Sequence, residues 1–181
     1  ARRQIATEGY ELLDRTIKLA KRFRNEVNRI PGMFCFGDEI VGREGIFAFD
    51  PTKVTVTAKE LGLTGFELET LLVDDYNIQV ELSDFYNVLG LITIGDTDES
   101  IDKFIAALKS ISERFYGKVT KVKRNFIKMP TIPEQVLIPR EAFYSDKNTI
   151  LFEESAGKIC GEMIMAYPPG IPIITPGERI T

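Results

Sequence analysis

The sequence predicts an α+β chain, and three observations carry that class. A long amphipathic stretch opens the chain, strand-like and helix-like runs alternate from residue 53, and the last quarter is broken by proline. In ARRQIATEGYELLDRTIKLAKRFRNEVNRI, residues Ile5, Leu12, Leu13, Ile17, Ala20, Phe23, Val27 and Ile30 recur at three- and four-residue steps between charges. That spacing predicts one helix over residues 1–30, stopped by Pro31-Gly32. The helix opens inside its own pattern, with neither Met nor an N-cap, so the chain is expected to be cut from something longer.

MFCF, GIFAFD and KVTVTA read as strands, and in the last Val54 and Val56 face one way and the threonines the other. Thr64-Gly-Phe-Glu67 has capping-box spacing and predicts a helix from Gly65 to about Asp74 that carries Phe66, Leu71 and Leu72 inward. NIQVELS then alternates, VLGLITIG is a nearly continuous apolar strand, and Asp96-Thr-Asp-Glu99 caps a helix with Ile101, Phe104, Ile105, Leu108, Ile111 and Phe115 on one face. Strand, helix, strand, strand, helix gives a small sheet with helices packed on one face.

From Gly117 to about Arg140 the chain turns basic (KVTKVKRNFIK) and then proline-punctuated (MPTIPEQVLIP), which predicts a strand-bearing crossing between units. NTILFEESAGKICGEMIM predicts a strand, a helical turn with Glu153 and Glu154 near its start, and a second strand. AYPPGIPIITPGE follows, with four prolines and two glycines in thirteen otherwise mostly apolar residues. Proline fixes φ, lacks an N–H and extends the residue before it, so this stretch is extended or turning. Two readings stand side by side: a buried edge strand between turns, or stiff backbone held against a wall of protein at a pocket rim.

With 44% hydrophobic and 28% charged residues and a net charge of −4, the composition is globular and leaves no footprint for nucleic acid. No apolar run has the length of a membrane span and no basic-then-apolar leader is present, so no membrane is expected and the cytoplasm is the expected compartment. Cys35 and Cys160 have no ligand spacing, which predicts reduced thiols and no metal site. The chain contains no histidine, so neither a Ser-His-Asp nor a Cys-His mechanism can be assembled from it.

Asp38-Glu39, Asp74-Asp75 and Glu153-Glu154 are paired acids beside turns and read as solvated surface. GDTDES lacks the length of a calcium loop, and EIVGREGIF lacks the context of a phosphate loop. Glu178, after Pro176-Gly177, has two readings. It either presents one carboxylate at a fixed position to a cationic substrate end, or it is a turn residue beginning a helix and offsetting its dipole.

ARRQIATEGYELLDRTIKLAKRFR, DPTKVTVTAKELGLTGFELETLL, YNIQVELSDFYNVLGLITIGDT and SAGKICGEMIMAYPPGIPIITPGERIT, in that order, resemble the Orn/Lys/Arg decarboxylases, pyridoxal-phosphate enzymes of the aspartate-aminotransferase fold. Within that family the wording is most similar to the biosynthetic arginine decarboxylases. The resemblance implies that residues 1–30 are a helix from the end of the cofactor-binding domain and that 31–116 are the small aminotransferase-type domain. Residues 117–181 would be a linker and the beginning of a mixed C-terminal domain. It implies that the Schiff-base lysine and the rest of the pyridoxal 5'-phosphate site lie upstream, so this chain holds no catalytic or cofactor residue and is inactive alone. The implied reaction is arginine to agmatine and CO2, in polyamine biosynthesis, with lysine or ornithine as the other basic substrates, in a homodimer or higher homo-oligomer. Where related aminotransferases carry an arginine for the substrate carboxylate, VLGLITIG has Gly90, as suits an enzyme that must not stabilise the ground-state carboxylate. The implied pocket rim is Tyr167, Pro168, Gly170 and Glu178, with Asp84 and Tyr86 second. The rival expectation is a stand-alone α+β ligand-sensing or oligomerisation module.

Overall fold

The computed structural model describes residues 1–118, 131–167 and 170–181. Most of the basic stretch expected as a crossing, and Pro168, lie outside the described residues. The chain divides into two compact units, Ala1–Arg124 and Asn125–Thr181.

In the first unit, helix α1 spans Arg2–Val27 and its C-terminal half buries Leu19, Ala20, Phe23 and Val27. The helix up to Ile17 differs from expectation: Ile5, Leu13 and Ile17 are exposed. A 26-residue helix is about 39 Å long at 1.5 Å per residue, and the small sheet underlies only its last turns. Strands β1 (Phe34–Cys35), β2 (Lys53–Thr57), β3 (Leu82–Ser83) and β4 (Asn87–Leu91) form an antiparallel sheet in the order β1-β2-β4-β3. Val54 and Val56 point into the core, as their alternation predicts.

GIFAFD is not a strand. Both edges of β2 are already paired, to β1 and to β4, so the segment has no edge left there to join, and Phe47 lies almost fully exposed. NIQVELS contributes only β3, because its first residues close the helix before it. Helix α2 spans Gly65–Tyr76, Asn77 turns left-handed at φ 54°, and the Ile78 amide donates to the Leu72 carbonyl. The predicted capping box is present in full: the Thr64 hydroxyl accepts from the Glu67 amide, and the Glu67 carboxylate accepts from the Thr64 amide. Leu68 and Leu72 rather than Phe66 face inward, since counting from Gly65 places Phe66 on the solvent side.

Helix α3 spans Asp98–Phe115 behind an N-cap at Thr97 and buries Ile101, Ile105, Leu108 and Ile111. Gly90 is where α3 meets the sheet: a Cβ there would lie 3.2 Å from the Phe104 ring and 3.1 Å from Val54. The missing side chain lets that ring settle onto β4. Arg24 is buried and pairs with no carboxylate among the described residues; its guanidinium donates to the carbonyls of Phe36 (3.0 Å) and Lys53 (2.8 Å) and stacks over Phe49, tying α1 to the sheet.

In the second unit, helix α4 spans Pro139–Tyr144, a 3-10 turn covers Phe152–Glu154, and β5 (Ile164–Ala166) pairs antiparallel with β6 (Ile171–Ile174). The helical turn with Glu153 and Glu154 matches expectation, but the strand predicted over NTILF is absent among the described residues. Among those residues, Ala142, Cys160 and Ile174 make up the buried apolar set of this unit.

Candidate functional site

The thirteen residues Ala166–Glu178 divide physically into two halves. The first carries β5 paired antiparallel with β6, with Gly170 at φ +81° just before β6. Its described side chains mostly face solvent: Tyr167 is 84% exposed, and Ile171 and Ile173 are exposed as well, while Ile174 is buried. Neither expectation of burial, as an edge strand or against a wall, holds for this half within the chain. Tyr167 and Gly170 are brought together, since a Cβ on Gly170 would stand 3.2 Å from the tyrosine ring.

The second half is held against protein as the stiff-backbone reading requires. Gly177 sits at φ +93°, and a Cβ there would be 2.0 Å from the Leu137 carbonyl oxygen, so only glycine fits. Its carbonyl accepts from the amides of Val136 (2.8 Å) and Leu137 (3.1 Å), and its own amide donates to Cys160 (2.8 Å). The Cys160 amide donates to the Glu178 carbonyl (2.8 Å), and the Arg179 amide to the Glu134 carbonyl (2.9 Å). Pro176-Gly177-Glu178 is therefore laced between residues 134–137 and 158–160. The Glu178 carboxylate folds back, and its Oε2 accepts from the Thr175 amide at 2.6 Å. One oxygen closes the turn, which fixes where the charge sits.

Asp84 does the same in the first unit. Its Oδ1 accepts from the amides of Tyr86 (2.6 Å) and Asn87 (2.8 Å), closing the turn between β3 and β4, and Tyr86 is 44% exposed beside it. Asp84 and Tyr86 share this turn in one unit, while Tyr167, Gly170 and Glu178 belong to the other.

Sequence reasoning missed a cleft of about 560 Å³ in the second unit, lined among others by Asp146, Lys147, Lys158, Cys160 and Arg179. Its charges come from three separate segments, and no local motif announces them. Among the described residues no cluster of acids and cysteines could hold a metal ion, and no helix is long and apolar enough to cross a membrane.

Residues 119–181 match the family described as Orn/Lys/Arg decarboxylase, C-terminal domain. Over all 181 residues the chain is 48% identical to an arginine decarboxylase of Bacillus anthracis and 41% identical to one of Bacillus subtilis, and it covers 37% of each. The chain thus spans little more than a third of the length of these curated relatives. In fold it is similar to the crystal structure of the Francisella novicida lysine decarboxylase, with a TM-score of 0.67 and 21% identity over 96% of this chain and 34% of that one.

Proposed function

From a chain whose residues 119–181 match the Orn/Lys/Arg decarboxylase C-terminal domain family, we propose a role as the C-terminal portion of a pyridoxal-phosphate-dependent decarboxylase of basic amino acids. Arginine to agmatine and CO2 is the leading reaction. The observation that carries this reading is the 48% identity to an arginine decarboxylase, sustained over the whole chain.

The described residues do not fit the cofactor. A lysine that forms a Schiff base must lose its proton, and burial is what lowers a lysine's pKa far enough. Every lysine among the described residues is exposed. The cofactor site is accordingly assigned to the remaining length of the enzyme, and no chemical step is assigned to residues of this chain. What the chain contributes in this reading is shape and charge at the pocket rim, in a cytoplasmic homodimer or higher homo-oligomer. Glu178 is suited to the rim because its turn is stitched on both sides and its carboxylate is tethered by the Thr175 amide. A tethered carboxylate meets a guanidinium with little ordering left to do. Tyr167, exposed at the end of β5, supplies an aromatic surface upstream in the same segment.

The full open reading frame, assayed with pyridoxal phosphate for CO2 release from arginine, lysine and ornithine, tests the reading. Release by the long form with arginine preferred is expected, and no release from the 181-residue chain. Silence from the long form with all three amino acids would return the chain to the sensing-module alternative. In the active long form, Glu178→Gln keeps an acceptor for the Thr175 amide and removes only the charge. It should raise KM for arginine by about tenfold, in line with the loss of one charge-assisted contact. An unchanged KM would remove Glu178 from the rim.

A further inference from the structure

We infer that the cleft of the second unit is a binding site for a small anion, of the class that joins a phosphate or carboxylate group to a compact apolar body. The cleft lies between the end of α4, residues 145–150 and residues 157–161, and its volume of about 560 Å³ falls in the range of small-molecule pockets. Three cations line it, Lys147, Lys158 and Arg179, against the single carboxylate of Asp146. The cleft therefore carries a net positive charge within a chain whose net charge is −4. A concave wall with one excess sign of charge concentrates ions of the other sign.

Two of the cations are available. Lys147 and Lys158 form an ion pair with no carboxylate among the described residues. Lys147 is also positioned: its ammonium lies 4.9 Å from the centroid of the Phe143 ring, and its stem crosses Gly161, where a Cβ would come within 3.3 Å of the Lys147 Cδ. The glycine makes room for the lysine, and the ring holds the charged end. Arg179 is fixed by donating Nε–H to Glu134 (2.8 Å) and Nη1–H to the Gly157 carbonyl (3.1 Å), which leaves its Nη2 without a partner among the described residues. Ile150, Ile159 and Leu137 supply apolar wall for the body of the ligand.

Titration calorimetry of the 181-residue chain with phenyl phosphate and with phthalate, at constant ionic strength and with neutral benzamide as control, tests the site. Saturable one-to-one binding is expected for at least one of the anions and none for benzamide; the anion that binds says whether phosphate or carboxylate is read. Lys147→Gln with Lys158→Gln should weaken it by about tenfold or more, whereas Lys21→Gln with Lys59→Gln, on the other unit, should leave it within about twofold. All four lysines are exposed, so each pair is expected to retain the native circular dichroism. The inference is overturned if neither anion saturates, if benzamide binds as well, or if the two double variants behave alike.

Discussion

At the scale of single residues, the side chains that look most available for chemistry are largely engaged in holding backbone. Asp84 takes two turn amides, Glu178 takes the Thr175 amide, and Glu39 takes the Gly37 amide at 2.8 Å. A half-buried amide without a partner costs about 1–3 kcal/mol, so the Glu178 and Glu39 carboxylates, whose bonds are half-buried, stabilise their turns, while the exposed Asp84 bonds do so less. Gly177 is the strictest position. Its φ of +93° and the 2.0 Å approach of a would-be Cβ to the Leu137 carbonyl leave an added methyl nowhere to go. Gly177→Ala should cost about 1–3 kcal/mol, as positive-φ strain does for a residue with a side chain, plus whatever the displaced Leu137 carbonyl loses. Hydrogen exchange locates the loss: the amides of Val136, Leu137 and Cys160, which donate to Gly177 and Glu178, should exchange at least tenfold faster, about 1.4 kcal/mol or more. Unchanged exchange at those three amides would mean that the turn accommodates a side chain.

At the scale of elements, α2 shows how much of this fold is written locally. Thr64 and Glu67 satisfy each other's amides, and Gly65 lets the first turn of the helix rest on the β3–β4 connection, where a Cβ would lie 2.1 Å from the Asn87 carbonyl oxygen. Thr64→Ala should cost about 1 kcal/mol, and Glu67→Ala somewhat less. Because the two act as one unit, the double variant should lose less than the sum by about 0.5 kcal/mol or more in urea denaturation, and strict additivity would show that the box does not act as one. This start was legible because capping is a contact three residues apart. The end of α2 was not, because nothing in NIQVELS distinguishes an alternating strand from an asparagine cap followed by a short strand until Asn77 is seen left-handed. GIFAFD failed for a longer-range reason, since an apolar alternation needs a free sheet edge and β2 had none. The candidate rim divides along the same line. That Pro176-Gly177-Glu178 is rigid follows from composition, but that its rigidity comes from residues 134–137 and 158–160 does not, and the charges of the cleft are spread over more than thirty positions.

At the scale of the whole molecule, the absence of histidine sets the pH behaviour, because no other side chain has an ordinary pKa between pH 5 and 8. The edges of that plateau follow from named groups. Backbone amides of its own segment hold Glu39 below the usual carboxylate range, hydrogen bonds from Thr52 do so for Asp50, and Lys103 does so for Glu99. A carboxylate lowered in the folded state stabilises above its unfolded pKa, so this contribution is present near neutrality and is lost as the pH falls through about 4 and below. Cys35 sets the alkaline edge with the opposite sign. Burial pushes its thiol from 9.0 up to about 11, with Arg24 opposing only in part. Between those values the unfolded chain ionises the thiol and the folded chain does not, so the unfolded state gains and stability falls by up to about 2–3 kcal/mol. The difference from Cys35→Val isolates the thiol from every other group and is the informative quantity. Urea denaturation should show nearly constant stability from about pH 6 to 8 for both chains, and a steeper loss in the parent than in Cys35→Val only above about pH 9. If the two chains fall in parallel through pH 11, the Cys35 thiolate is accommodated in the folded core, and the buried Arg24 beside it is the group that would have to account for that.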